Sequence, residues 1–363
     1  VSYRSSGVDY DVLDEAKRRS LRAASSTWHS PGWGASIVTE SVGEPTQLIE
    51  VGGRVIATVL ECLGTKSSIA ADVAAELGVD RFEAIGFDTV AAAANDLCCA
   101  GALPVCLNAY VATGSPDWYA GTRHASFVAG FEKACREAGA AWVGGESPTL
   151  RGIVEEGSVD LAASAVGLVP EDCEPWLAGR LEPGDEIVLL SSSGLHANGA
   201  SLVRSVASRL EQGWSTTLPS GRTLGEAALD ESVLYSGLVG ALHGGEQSSA
   251  VHYASHVTGH GLRKLMRARR HLTYRLTAIP EVPEVLAFVA SVAGMDAAAA
   301  YGTFNMGVGF ALFVAAGTGG SVLETARHLG YGALSAGTVE EGRRRVILEP
   351  LGIIFESEEL SLC

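Results

Sequence analysis

An acidic, proline-bounded stretch, Pro170-Glu171-Asp172-Cys173-Glu174-Pro175, divides the sequence into two runs that each alternate apolar strands with helical segments. Proline fixes φ and removes a backbone donor, and a charged segment resists burial, so this stretch reads as a linker. At 363 residues the chain is also longer than one hydrophobic core usually spans. The expected fold class is therefore α/β (α+β), built as two successive α/β domains. No exact repeat relates the halves, which leaves duplicated and merely paired domains as equal readings.

Residues 1–47 form an amino-terminal arm rich in Ser, Gly, Arg and Trp, with helical periodicity only from Asp14 to Ala24. Residues 48–169 form the first domain. It opens on an apolar strand, Arg54 to Leu60, followed by a turn at Glu61 to Lys66 and a helix from about Ser67. An Ala-rich helix then runs from Phe82 to Gly101, a strand from Pro104 to Ala112, a helix from Asp117 to Ala138, and a β-like run from Val159 to Val169. Residues 170–350 form the second domain, which opens on the buried strand Glu186 to Leu190. Residues 351–363 read as an acidic, loosely held tail.

With 26 Lys and Arg against 42 Asp and Glu, the formal charge is −16, which disfavours nucleic acid and anionic membranes as partners. Any phosphate must be held by local donors. The longest apolar stretch, Val285 to Ala300, is broken by Gly294 and Asp296, so no membrane span is expected, and the first residues show no secretory pattern. The seven cysteines are odd in number, lack CxxC spacing and sit mostly in apolar runs, which fits a reducing, cytoplasmic location.

Several segments carry candidate chemistry. Gly64-Thr65-Lys66 lies between a strand and a helix: the glycine admits an anion to backbone amides, the lysine supplies a cation, and the helix start adds its dipole. The same tripeptide also occurs in ordinary turns, and its spacing is not that of a P-loop. Asp88 and Asn95, seven apart, share a helix face with Asp96 beside them, an oxygen-rich group suited to magnesium. Capping and a solvated face are the plainer alternatives. Glu146 follows Gly144 and Gly145 at a strand end, where a ligand can approach. Glu61, Asp96 and Glu146 together are a candidate magnesium set. In the second half, Ser193-Gly194-Leu195-His196-Ala197-Asn198-Gly199 joins a strand to a helix bearing Arg204. Such a loop can hold phosphate, with His196 as donor or general acid/base, although a lone histidine is more often a capping or structural one. His256 to Gly261 and Gly302 to Gly309 are glycine-dense turns, for which tight turning is a sufficient explanation.

The order and spacing of these pieces resemble the aminoimidazole ribonucleotide synthetase (phosphoribosylformylglycinamidine cyclo-ligase) family over nearly the whole chain. The resemblance is carried by Tyr3 to Asp9, Gly64-Thr65-Lys66, Gly86-Phe87-Asp88, Asn95-Asp96-Leu97, Ala112-Thr113-Gly114 and Gly144-Gly145-Glu146. It continues through Ser193-Gly194, His196, Asn198-Gly199, Ser201 to Arg204, Thr258-Gly259, Thr303-Phe304-Asn305 and Gly307-Val308-Gly309. It implies a homodimer whose amino-terminal sheets pair, and an ATP site at Gly64, Thr65, Lys66, Asp88, Asn95, Gly144, Gly145 and Glu146. It further implies a phosphorylated small-molecule substrate held by Ser193, Gly194, His196, Asn198, Gly199, Arg204, Thr258, Gly259 and Asn305, with Lys66, His196 and Asp96 catalytic. The implied reaction belongs to purine biosynthesis: ATP with magnesium phosphorylates an amide-type oxygen, making it a leaving group, and a nitrogen then closes the imidazole ring.

This chain departs from the family pattern at Glu61-Cys62-Leu63, where the family has Asp-Gly-Val, and at Ala109, where it commonly has aspartate. Ser147-Pro148 and His260 replace further family residues. A paralogue activating another amide, amidine or carboxamide, and a catalytically weakened scaffold, are the competing expectations.

Overall fold

The computed structural model describes residues 10–245 and 249–360. The Tyr3 to Asp9 motif and Cys363 lie outside them. Helix α1 (Tyr10–Ser25) precedes strands β1 (Ala35–Ile37), β2 (Gln47–Val51) and β3 (Arg54–Cys62). Helices α2 (Lys66–Leu77) and α3 (Phe82–Cys98) follow, then β4 (Leu103–Thr113), α4 (Asp117–Ala120), α5 (Thr122–Ala138), β5 (Ala141–Glu146) and β6 (Val159–Leu168). These strands form one sheet in the order β1-β2-β3-β6-β4-β5, antiparallel except for β4 with β5. The expected arm is therefore not separate, because β1 and the start of β2 pair into the first sheet.

The second half contains β7 (Glu186–Ser191), α6 (Ala200–Ala207), α7 (Leu224–Ala228), α8 (Ser236–Gly244), β8 (Val251–His256) and β9 (Leu272–Leu276). It continues with α9 (Glu284–Val292), α10 (Ala297–Tyr301), β10 (Val308–Val314), α11 (Gly319–His328), β11 (Ala333–Glu341), β12 (Arg345–Leu348) and β13 (Ile353–Glu356). The second sheet runs β13-β12-β9-β11-β7-β10-β8, antiparallel except for β12 with β9. The expected tail thus begins as a sheet strand, since β13 pairs residue for residue with β12.

Period-2 patterning explains how the second sheet is buried on both sides. On β7, Ile187 and Leu189 face one core while Val188 and Leu190 face another, where they meet Leu238 and Leu242 of α8 and Val322 of α11. The continuous apolar run of β10 is buried throughout, as expected for a strand covered on two faces.

Helix α3 is the hinge-pin of the architecture. Fifteen of its residues are buried, an unusual degree that its small Ala and Gly side chains permit. Gly86 and Gly130 bring α3 against α5: a Cβ on Gly86 would lie 2.1 Å from the Phe127 carbonyl, and one on Gly130 would lie 1.8 Å from that of Glu83. The far end of the helix enters the second domain, with Cys98 and Cys99 packed among Val188, Leu238 and Phe310. Ile85, Val90 and Leu97 are fully buried, each stabilising the fold by about 1.5–3 kcal/mol. A helix so placed carries its few polar residues directly into the space between the domains. The helix expected from Asp117 is broken into α4 and α5 at Gly121, whose extended backbone stops the first turn.

Candidate active site

A cleft of about 400 Å³ opens between the domains. Its first wall is the end of β3 and the turn into α2, with Glu61, Gly64 and Thr65; its floor is Asn95 and Asp96 of α3. The opposing wall comes from the second domain: His196, Asn198 and Gly199 before α6, then His256, Thr258 and Gly259 after β8, with Lys264 beyond them. The amino termini of α2 and α6 meet here, and Thr65 Oγ1 and Ser201 Oγ lie 2.8 Å apart across them. Two helix starts contribute unpaired amides and positive dipole ends to one space, a setting that favours phosphate.

The charged groups on the floor are mutually frustrated. Burial, and then the adjacent Asp96, push the Glu61 carboxyl up to about 8, so that it carries a proton at neutral pH and shares it with Asp96. Burial opposes ionisation of Asp96 as well, but the hydrogen bond and charge of His256 hold it below the ordinary carboxylate range. His256 Nδ1 lies 2.7 Å from Asp96 Oδ1. Burial, and then Arg267, lower the Lys264 ammonium to about 8. Arg267 is itself anchored, donating to the Gly43 carbonyl at 2.9 Å and lying 3.6 Å from Glu44.

His196 is buried and has φ +55, a left-handed conformation uncommon outside glycine. Its Nε2 accepts from the backbone amides of Ser193 at 3.3 Å and Val233 at 3.4 Å. Burial first, then the nearby His256 and Lys66, hold the ring well below its usual pKa, so it is neutral. Its Nδ1 is buried without a hydrogen-bond partner among the described residues. A neutral imidazole accepting at Nε2 carries its proton on Nδ1.

The expected site residues divide sharply. Glu61, Gly64, Thr65, Asn95, Asp96, His196, Asn198, Gly199, Thr258 and Gly259 all line this cleft. Lys66 and Asp88 do not. Each is wholly buried, and the ammonium is spent on the Asp88 carboxylate and on the Asp230 carbonyl at 3.1 Å. The expectation that Lys66 presents a free cation to phosphate is corrected by that burial.

Gly144 and Gly145 border a separate, smaller cleft beside Ala109 and Trp142, and Glu146 is exposed on the edge strand β5. Within one chain the expected Glu61, Asp96 and Glu146 set therefore does not assemble, and no group of three such side chains with metal-binding placement occurs among the described residues. Two carboxylates do meet, Glu61 and Asp96, and a hard cation that also takes nucleotide oxygens needs no more than one or two. Both side chains line the cleft, an oxygen donor set that fits magnesium.

Arg204 pairs with Asp72 at 3.2 Å and borders an adjoining groove that shares Thr65 and Ser201. Ser193 and Asn305 brace the loop around His196: Ser193 Oγ donates to the Glu231 carbonyl at 2.5 Å, and Asn305 Nδ2 donates to the Gly194 carbonyl at 2.8 Å. His256, His260, Lys264, Arg267 and Lys17 line the cleft and were not expected there. The available signal was His256 at the strand end before Thr-Gly-His-Gly, with Lys264 one helical-turn segment later, but a turn explained that pattern equally well.

Two family descriptions match the chain: AIR synthase related protein, N-terminal domain, over residues 43–169, and its C-terminal domain over residues 182–349. Among curated proteins, the phosphoribosylformylglycinamidine cyclo-ligase of Lachnospira eligens is 30% identical over 96% of this chain and 100% of its own length. The protein of the same name from Methanothermobacter thermautotrophicus is 34% identical over 87% of this chain and 88% of its own. Among solved structures, hydrogenase maturation protein HypE in complex with ATP shares the fold, with a TM-score of 0.58, 19% identity and coverage of 85% of this chain and 87% of that one.

Proposed function

We propose, from the premise that this chain belongs to the AIR synthase related family, that it is an ATP-dependent cyclo-ligase acting on phosphoribosylformylglycinamidine. One observation carries the reading: the Glu61–Asp96 pair, the paired starts of α2 and α6, and His196 border a single cleft. The cyclo-ligase name shared by these relatives supports the substrate, and the ATP bound by the HypE neighbour supports the nucleotide.

The amide oxygen of the substrate attacks the γ-phosphorus of ATP and ADP leaves. The amidine nitrogen then attacks the imidate carbon, the carbon–oxygen bond breaks, inorganic phosphate departs, and the nitrogen gives up a proton. Phosphorylation is needed because an amide oxygen does not leave unaided. Magnesium, held by Glu61 and Asp96, would neutralise charge on the transferred phosphoryl group. His196 borders the cleft as a neutral ring and so does not compete for a cation's place there. The α2 and α6 starts, with Asn198, hold phosphate groups, while Lys264 and Arg267 supply the positive field that the acidic chain otherwise lacks.

A homodimer belongs to the same proposal. Leu60 on β3, Val105 on β4 and Val143 on β5 are exposed, and β5 leaves one sheet edge unpaired; a second copy would cover both. The location proposed is the cytoplasm, and no helix among the described residues is long and apolar enough to cross a membrane.

The deciding experiment measures imidazole formation and phosphate release from phosphoribosylformylglycinamidine and ATP. Both products in equal amount are expected. ATP binding by folded protein with neither product would overturn the substrate. Light scattering is expected to give twice the chain mass, and a monomer would remove the dimer.

A further inference from the structure

We propose that Lys66, Asp88 and Asn95 are positioning residues: they fix residues 230–235 against the first domain, and through that segment hold His196 with its proton on Nδ1. The inference rests on the reading of this cleft as the reaction site. Residues 230–235, between α7 and α8, belong to neither helix nor sheet, so their backbone groups find partners outside the segment.

Those partners come largely from the first domain. The Asp230 carbonyl accepts from Lys66 Nζ at 3.1 Å, and the Ser232 amide donates to Asp88 Oδ1 at 2.7 Å. Asn95 reads two positions at once: its Nδ2 donates to the Val233 carbonyl at 2.8 Å and its Oδ1 accepts from the Tyr235 amide at 3.0 Å. The Lys66–Asp88 ion pair locks the first two contacts to each other, with both side chains wholly buried. The peptide plane that carries the Val233 N–H lies between two anchored ones, the plane before it held at the Ser232 amide and the plane after it at the Val233 carbonyl, and so has little freedom to rotate.

The Val233 amide is consequently aimed at His196 Nε2, 3.4 Å away, where the Ser193 amide also donates. Two donors on one ring nitrogen exclude a proton from it. The proton then resides on Nδ1, the atom left unpartnered among the described residues. Three polar residues of the first domain thus set the hydrogen-bonding sense of a second-domain side chain through the backbone of residues 230–235.

The test uses the full chain labelled with 15N-histidine, assigning His196 by loss of its ring signals in His196→Gln. In the unmodified protein Nδ1 should be protonated and Nε2 bare. The double variant Lys66→Met with Asp88→Leu replaces the buried pair by apolar groups, a change that buried pairs often tolerate. It should stay folded, show both His196 tautomers, keep ATP affinity within about twofold and lose turnover by about tenfold or more. Asn95→Ala, which keeps the ion pair, should mix the tautomers in the same direction.

An unmodified protein with Nε2 protonated would overturn the proposal. So would folded variants whose His196 tautomer is unchanged, above all if ATP affinity falls, since Lys66 would then act on the nucleotide itself. The tautomer is read without substrate, so failure of the cyclo-ligase assay alone leaves this result intact.

Discussion

Two lysine–carboxylate groups flank the same helix and have opposite characters. At Asp88 the charges are sealed, matched and bonded: Lys66 and Asp88 have no exposure, and each also holds a backbone group of the opposite domain. Eight residues on, Asp96 is bonded to His256 at 2.7 Å, but the charged groups beside it crowd an open cleft. Glu61 is raised to about 8 and Lys264 lowered to about 8, although the two lie within each other's field. Satisfaction marks the group that builds the protein, and frustration marks the one that awaits a ligand. Charge, residue type and helix are shared, so neither could have been assigned from composition.

The hardest blow to this contrast is aimed at the sealed pair. Lys66→Ala leaves Asp88 buried and uncompensated, and should destabilise the chain by about 3–5 kcal/mol in urea unfolding. A loss below about 1 kcal/mol, the size expected of an exposed pair, would mean the pair is not sealed. The same measurement on Asp96→Asn should show a smaller loss, because the amide oxygen can still bond to His256 and only the charge of that bond is removed. Its effect belongs in catalysis: ATP turnover with the true substrate should drop by about a hundredfold or more, roughly 2.7 kcal/mol. Full turnover in a folded Asp96→Asn protein would erase the distinction.

Acid sharpens it further. His260, like His196, is kept neutral, burial first and then Lys264 and Arg263 lowering it to about 4. Its folded pKa lies below the unfolded value of about 6.5, so its contribution to stability is present above that value and is lost as pH falls towards 4. Each such imidazole should cost about 1.4 kcal/mol per pH unit within that window. Denaturation measured from pH 7 to 4 should show the decline, and a flat profile would mean that the cleft histidines protonate freely in the folded state.

The smallest effect concerns His260 alone. It sits at φ +72 among the glycines of its turn and borders the cleft, a conformation that costs a non-glycine residue roughly 1 kcal/mol. His260→Gly should therefore raise stability by a few tenths to about 1 kcal/mol, reduced by the entropy glycine loses on folding. A thermal melt that moves downward would show that the imidazole stabilises the turn by more than its strain costs.

How far the sequence could be read depended on the range of the interaction. Helix α3, the strands β3, β4, β6 and β7, and the turn at Gly64 follow from periodicity and from glycine, which act over a few residues. The split of α4 from α5 at Gly121 and the capture of β13 by β12 were not legible, because the second depends on a partner strand and the first on a backbone angle. Among the cleft-lining residues, Glu61, Asp96 and His196 were singled out by type and spacing, and Thr258 by the family resemblance. His256 and Lys264 were passed over, since a strand-end histidine and a buried lysine acquire meaning only beside Asp96 and Glu61.

The sequence by itself determined that two α/β units follow one another, that the chain is acidic, and which polar residues interrupt otherwise apolar elements. Only the tertiary structure decided which of those residues face the cleft. Lys66 and Glu61 lie five positions apart on either side of one turn, yet the first is closed off by a loop more than 160 residues later and the second is left facing the cleft. Burial and pairing are set by what packs from across the chain, and a charged side chain takes its role from the water and the partners that this packing leaves it.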